Sequence, residues 1–140
     1  MIVVSACLAG VNCNYEGKNS ENEMIVELVK KGEAIMVCPE QLGGLTTPRT
    51  PAEIVNGKVF TKDGIDVTEA FRRGAAEVLN ICKKFHCQKA ILKSNSPSCG
   101  RGRIYNGEFS GILVDGDGIT ARLLEENGIG VSALSGAGDD

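Results

Sequence analysis

The chain has 140 residues and a mass of 14.8 kDa, with apolar and charged fractions of 42% and 24%, as expected for one globular domain. Its net charge of -3 and its pI near 5.2 argue against polymeric nucleic acid as a partner, since no basic surface is indicated. The apolar N-terminus lacks a basic leader and no stretch approaches a membrane span, so we expect a cytoplasmic protein with no membrane partner.

Apolar runs alternate with patterns of helical period along the chain. They predict strands at 2–6, 33–38, 89–94 and 129–134, and helices at 20–32, 66–85 and 119–128. Ser20 is the predicted N-cap of the first helix, with Glu23 completing a capping box, and Thr68 or Asp66 caps the second. We therefore predict a single-domain α/β fold: a Rossmann-like, mostly parallel sheet with helices on both faces and a disordered tail at 135–140.

Two turn signals interrupt this alternation. Asn56 and Gly57 lie between two apolar pairs, which is a strong hairpin signal and predicts a small β-hairpin flap beside the sheet. A second hairpin-like turn is predicted at "YNGEF", residues 105–109.

Three cysteines lie at or beyond the predicted ends of buried strands: Cys7, Cys38 and Cys99. In a parallel sheet these carboxyl ends form one rim, where ligands bind, so the three thiols are expected to converge on one site. The competing interpretation is that each is a small buried hydrophobe, as cysteines often are. Convergence of three favours a metal or cluster site.

The other three cysteines have different interpretations. Cys82 lies in the apolar stripe of the long helix and is assigned to the core, and Cys87 is assigned a structural role. Cys13 either reaches the same rim as a fourth ligand or covers it. Disulfides are not expected in a reducing compartment, and no C-x2-C zinc pair occurs. Zinc in a structural site takes four protein ligands, whereas an iron–sulfur cubane on three cysteines leaves one iron open.

Polar groups near these cysteines are candidates for chemistry. Glu40, two residues after Cys38, is the best-placed acid–base group, although a loop glutamate is usually a solvated charge. The loop "SNSPSCG" supplies the hydroxyls of Ser94, Ser96 and Ser98, which suit an anion or polar substrate or simply form a turn.

The segments "VSACLAGVNCNYEGK", "CPEQLGGLTTPRTPAEI", "AILKSNSPSCG" and "IYNGEFSGI" resemble, in order and over nearly the whole chain, the thiouracil desulfidase family. The resemblance implies a [4Fe-4S] cluster on Cys7, Cys38 and Cys99, with Cys13 outside the ligand set. It also implies non-redox desulfuration of a small-molecule thiopyrimidine or its nucleotide.

Within those segments the resemblance assigns Glu40 as the catalytic carboxylate and Ser96 as the serine that assists it. We further predict substrate contacts for Arg49, Ser98 and Gly100, which lie in the same motifs.

Two other functions use the same cysteines. A non-catalytic iron–sulfur or zinc protein, acting as a sensor or in sulfur handling, would need the thiols but not Glu40. A cluster-free protein would use Cys38 as a nucleophile of lowered pKa.

Overall fold

The computed structural model describes residues 1–136. In chain order the elements are β1 (Ile2–Ser5), a 3-10 turn (Ala6–Ala9), α1 (Glu23–Lys30), β2 (Ala34–Val37), α2 (Pro39–Leu42), β3 (Ala52–Val55), β4 (Lys58–Thr61), α3 (Thr68–Lys84), β5 (Lys89–Lys93), β6 (Arg103–Tyr105), β7 (Leu113–Asp115), α4 (Ile119–Glu126) and β8 (Gly130–Leu134). The central sheet has the order β2-β1-β5-β8, and every neighbouring pair is parallel. The predicted parallel α/β fold is confirmed.

Both faces of the sheet are covered, because successive side chains of a strand point to opposite faces. On one face Val4 packs with Leu8 and with Ile25 of α1. On the other, Val3 belongs to a larger core formed with α3 and α4, and this core contains Cys82 and Cys87, which are 1% and 3% exposed. The core assignment of Cys82 is confirmed.

Two helices start later than predicted, α1 by three residues and α3 by two, whereas α4 starts at the predicted residue. Helix α1 is capped by Asn22, whose side-chain oxygen accepts the N–H groups of the second and third helical residues. The prediction of Ser20 as the cap is wrong, since Ser20 is buried in the preceding loop. Helix α3 begins at Thr68 with Val67 at the N-cap position, where Thr68 or Asp66 was predicted, and the Asp66 carboxylate accepts the N–H of Thr68.

Two antiparallel hairpins stand beside the sheet. The first, β3–β4, turns at Asn56 and Gly57, which both have positive φ (51° and 77°), and the predicted flap is confirmed. In the second, β6 and β7 are joined by a longer loop, 106–112. The two hairpins contact each other through β3 and β6.

The C-terminal end of the described chain is held by the sheet. Ser135 accepts a hydrogen bond from Asn22 through its carbonyl, and its hydroxyl bonds to that of Ser94. Residues 137–140, most of the tail predicted to be disordered, lie outside the described residues. Among residues 1–136, no helix is long and apolar enough to cross a membrane.

Candidate active site

A cavity of about 490 Å³ opens at the carboxyl ends of β1, β2 and β5. This volume is in the range of small-molecule sites, about 300–1,000 Å³. Four of the six cysteines line it: Cys7, Cys13, Cys38 and Cys99. The structure thus brings together the three strand-end thiols that sequence reasoning predicted to meet, and adds a fourth.

Each thiol reaches the cavity by a different local route. Cys7 lies in the 3-10 turn directly after β1, not in the strand itself. Cys38 follows β2 and is the N-cap of α2, with proline at the first helical position, where its missing N–H is tolerated. Cys99 follows β5 in the loop that includes Ser96, and its backbone N–H donates to the Ser96 hydroxyl.

Cys13 lies beside two of the other thiols. Its side chain is 1% exposed, and its carbonyl oxygen lies 3.7 Å from the sulfur of Cys38. Hydrogen bonding with the Cys13 side chain lowers the pKa of Cys7 and, with the backbone N–H of Gln41 and the charge of Arg49, lowers the pKa of Cys38 to about 6. The same contacts raise the pKa of Cys13. Of these three thiols, Cys38 is therefore the one with thiolate character at neutral pH.

Cys99 has a different environment. It is 5% exposed, and burial raises the pKa of its thiol to about 12, although the Ser5 hydroxyl donates to its sulfur at 3.5 Å. Ser5 is in turn fixed by the backbone N–H of Lys93, 2.9 Å away. Ser5 was not predicted as a site residue, and its only sequence signal is its place at the end of β1. Metal binding would be needed to deprotonate Cys99 at neutral pH.

Glu40 and Arg49 form a mostly buried ion pair, with Arg49 Nε 3.2 Å from Glu40 Oε1 and side chains 7% and 19% exposed, respectively. Arg49 also donates to the carbonyls of Cys13 (2.8 Å) and Thr46 (3.2 Å) and to the Thr47 hydroxyl (2.9 Å). Burial raises the pKa of Glu40, although Arg49 opposes the shift. With these contacts, Arg49, which also lines the cavity, holds Glu40 and the Cys13 loop in place; its contact with the substrate stays a prediction.

The serines of this loop differ in position, since Ser94 and Ser96 line the cavity and Ser98 is internal. Ser96 lines the cavity, and its hydroxyl oxygen accepts the N–H groups of Ser98 and Cys99, both at 3.0 Å. Ser98 is fully buried and bonds to the Thr120 hydroxyl at 2.8 Å. Neither Ser98 nor Gly100 is among the described residues that line the cavity. A Cβ at Gly100 would lie 2.7 Å from the carbonyl of Ser96, so both residues shape the loop.

The chemistry of the donor set fits an iron–sulfur cluster, because cysteine thiolates are the ligands that such clusters take. Cys7, Cys38 and Cys99 line one cavity, and in a [4Fe-4S] cluster each cysteine binds a different iron. Within residues 1–136, no three or more His, Cys, Asp or Glu side chains are arranged to hold one metal ion.

Comparison with known proteins agrees with this architecture. Residues 2–134 match the family described as 2-thiouracil desulfurase. The chain is 48% identical over 138 residues to the uncharacterized protein YbbK of Bacillus subtilis (strain 168), covering 91% of each chain. The solved structure of the [4Fe-4S]-dependent thiouracil desulfidase TudS is 45% identical and superimposes with a TM-score of 0.91, covering 94% of this chain and 89% of that one. The chain therefore belongs to the 2-thiouracil desulfurase family.

Proposed function

We propose that this protein is an enzyme that replaces the sulfur of a thiolated pyrimidine by oxygen, acting on thiouracil or on a thiouridine monophosphate. The reaction is a hydrolysis: the oxygen of water becomes the carbonyl oxygen, and the sulfur leaves as hydrogen sulfide, with no net electron transfer. The observation that carries the proposal is the grouping, in one cavity, of three candidate cluster thiols with a mostly buried carboxylate and a serine hydroxyl.

We assign Cys7, Cys38 and Cys99 as the residues that hold a [4Fe-4S] cluster. Cys13 is left outside the set, and its side chain instead lowers the pKa values of Cys7 and Cys38. When bound by three cysteines, the cluster supplies a thiophilic iron with an open position, which polarises a thiocarbonyl as a Lewis acid would. A thiol-rich site of this kind agrees with a reducing, cytoplasmic location.

Glu40 is the proposed general base. Its carboxylate takes a proton from the water that attacks the thiocarbonyl carbon, and it returns a proton to the ring or to the leaving sulfur. Arg49 holds one carboxylate oxygen at 3.2 Å and so fixes the direction in which the other oxygen can act. Burial raises the pKa of Glu40 toward neutrality, which suits a group that must both accept and release a proton.

Ser96 is proposed to orient the substrate or the water. Its oxygen accepts two backbone N–H groups, so the hydroxyl hydrogen is the group that it can offer to a ligand in the cavity. A donor at this position would stabilise negative charge that develops as water adds to the thiocarbonyl.

Cluster content and uracil release, measured on the same anaerobic sample, test the proposal. We expect about four irons and four acid-labile sulfides per chain, with uracil formed from thiouracil or its nucleotide. Glu40→Gln should keep the iron and lose uracil release by at least about 100-fold, the range for an acid–base residue. Glu16→Gln is the matched control, since Glu16 also lines the cavity but is exposed. An active Glu40→Gln protein would overturn the assignment of the base. Loss of release in both variants would show that any carboxylate change disturbs the pocket.

A further inference from the structure

The loop between β6 and β7 closes one side of the cavity and has no role in the mechanism above. Tyr105, Phe109 and Gly111 line the cavity on this side, and Glu53, on β3, lines it from the neighbouring hairpin. The two hairpins thus form a wall across from the sheet rim that carries the thiols. Phe109 is the residue of this wall whose side chain is both fully apolar and aromatic.

A buried carboxylate fixes this loop. Glu53 is 8% exposed, and its Oε1 accepts the backbone N–H groups of Gly107 at 2.9 Å and Phe109 at 3.2 Å. A carboxylate removed from water is costly unless hydrogen bonds satisfy it, and two N–H donors meet that requirement. The position of the loop is therefore tied to one side chain on the other hairpin.

The backbone of the loop shows how closely it is held. Gly107 has φ of 89°, and a Cβ there would lie 2.7 Å from the carbonyl oxygen of Ile54, so the loop lies against β3 without room for a side chain. Phe109 has φ of 54°, which is uncommon for a bulky residue and persists only where the surroundings enforce it. The N–H of Phe109 that Glu53 binds belongs to this strained residue.

We propose that Phe109 is the stacking surface for the pyrimidine ring and that Glu53 is the positioning residue that holds it at the cavity wall. The inference rests on the proposed function and names a specificity determinant for it. A flat heteroaromatic ring in a cavity with polar groups at one end is bound by an aromatic face at low entropic cost. Stacking is equal for base and nucleotide, so Phe109 selects the ring and not its substituents.

Steady-state kinetics of cluster-loaded protein tests the role of Phe109. Phe109→Ala should raise KM by about tenfold, in the range known for loss of base stacking, with kcat changed less than twofold and iron content unchanged. Phe109→Tyr, which keeps the ring, should restore the wild-type KM. The proposal is overturned if Phe109→Ala leaves KM within twofold of wild type, or if it lowers kcat alone.

The role of Glu53 is tested by non-additivity. Glu53→Ala frees the two N–H groups and should raise KM by a similar factor, while the double variant Glu53→Ala/Phe109→Ala should be no worse than Phe109→Ala alone. Glu108→Ala is the matched control, since this exposed carboxylate belongs to the same loop and accepts a hydrogen bond from Asn106 within it. Additive effects of the two substitutions, or an equal effect of Glu108→Ala, would refute the positioning role.

A binding assay separates failure of this inference from failure of the proposed function. The chain has no tryptophan, so Phe109→Trp introduces a single tryptophan at the cavity wall, which is excited selectively at wavelengths where the two tyrosines do not absorb. Uracil should quench the emission of this tryptophan saturably. Phe85→Trp is the control, since Phe85 is 52% exposed at the end of α3, and its emission should fall only by the absorption of light by uracil (the inner-filter effect). If wild-type protein releases no uracil, the proposed function fails, yet quenching by uracil still supports the wall. Equal, unsaturable responses of the two variants overturn it.

Discussion

Replacing Gly74 of α3 by alanine should destabilise the protein, although alanine is normally the better helix former. Gly74 faces Gly43 across the contact between α3 and α2, and each glycine lies against the backbone of the other helix. A Cβ at Gly74 would overlap the carbonyl oxygen of Pro39, and one at Gly43 would overlap that of Ala70. Backbone atoms cannot rotate out of the way, so the two helices would have to separate.

The two opposing contributions can be estimated. In an exposed helix, glycine to alanine stabilises by about 1 kcal/mol. Overpacking of a tight contact costs about 1–3 kcal/mol, and a clash with backbone places this site at the upper end. The net expectation for Gly74→Ala is a loss of about 2 kcal/mol in the free energy of unfolding. Because α2 carries Glu40, the displacement should also reduce uracil release.

Urea unfolding of anaerobically purified protein measures the effect. Ala76→Gly, two residues further along α3 and exposed, isolates the helix-propensity contribution and should itself cost about 1 kcal/mol. If helix propensity alone acted, Gly74→Ala would raise the free energy of unfolding and Ala76→Gly would lower it. With the contact between Gly74 and Pro39, both variants lower it. A Gly74→Ala protein at least as stable as wild type would refute the argument from the helix contact.

Two further expectations follow from the hydrogen bonds. Cys13→Ser should retain iron, since the hydroxyl can still donate, whereas Cys38→Ser should lose it; iron loss in the Cys13 variant alone would reverse the ligand assignment. Glu125 has a lowered pKa because it accepts the backbone N–H of Val131 and pairs with Arg101. Its stabilisation is therefore present above its unfolded pKa of about 4.3 and is lost as pH falls through the folded value. Glu125→Gln should lower the free energy of unfolding by less than about 1 kcal/mol at pH 7. In urea unfolding, the difference in this free energy between variant and wild type should disappear between pH 5 and pH 3. A difference that grows as the pH falls would refute the assigned direction of the pKa shift.

The central sheet and the convergence of the strand-end cysteines could be predicted from the sequence. Short apolar runs indicate buried strands, and the carboxyl ends of parallel strands lie along one edge of the sheet. Cys38 and Cys99 could be placed from that rule alone. The hairpin at Asn56 and Gly57 was equally predictable, because few residue pairs adopt the two positive φ angles that the turn demands.

Features set by short segments or by distant contacts could not be predicted in the same way. Helix α2 has four residues, too few for a periodic signal, yet it presents Glu40 to the cavity. Ser20 and Asn22 are both good N-caps on propensity, and the sequence does not show that the preceding loop, bonded through both N–H groups to the carbonyls of Cys7 and Leu8, brings Asn22 to the helix start. Arg49 was predicted only as a substrate contact, because nothing local in the sequence reveals that it also binds Glu40, the Thr47 hydroxyl and the Cys13 carbonyl.

The role of Cys13 was left open for the same reason, because it depends on contacts with distant parts of the chain. In the structure Cys13 differs in its role from the other three thiols of the cavity. Sequence placed Cys13 near the rim but gave no reason to prefer ligand or cover. In the structure its carbonyl accepts from Arg49, the residue that also holds Glu40, and its side chain lowers the pKa values of Cys7 and Cys38. One loop thus connects the carboxylate to two thiols of the proposed ligand set. In the proposed assignment Cys13 therefore supports the cluster ligands without being one of them, and a hydrogen-bond donor suits that role better than another thiolate beside them.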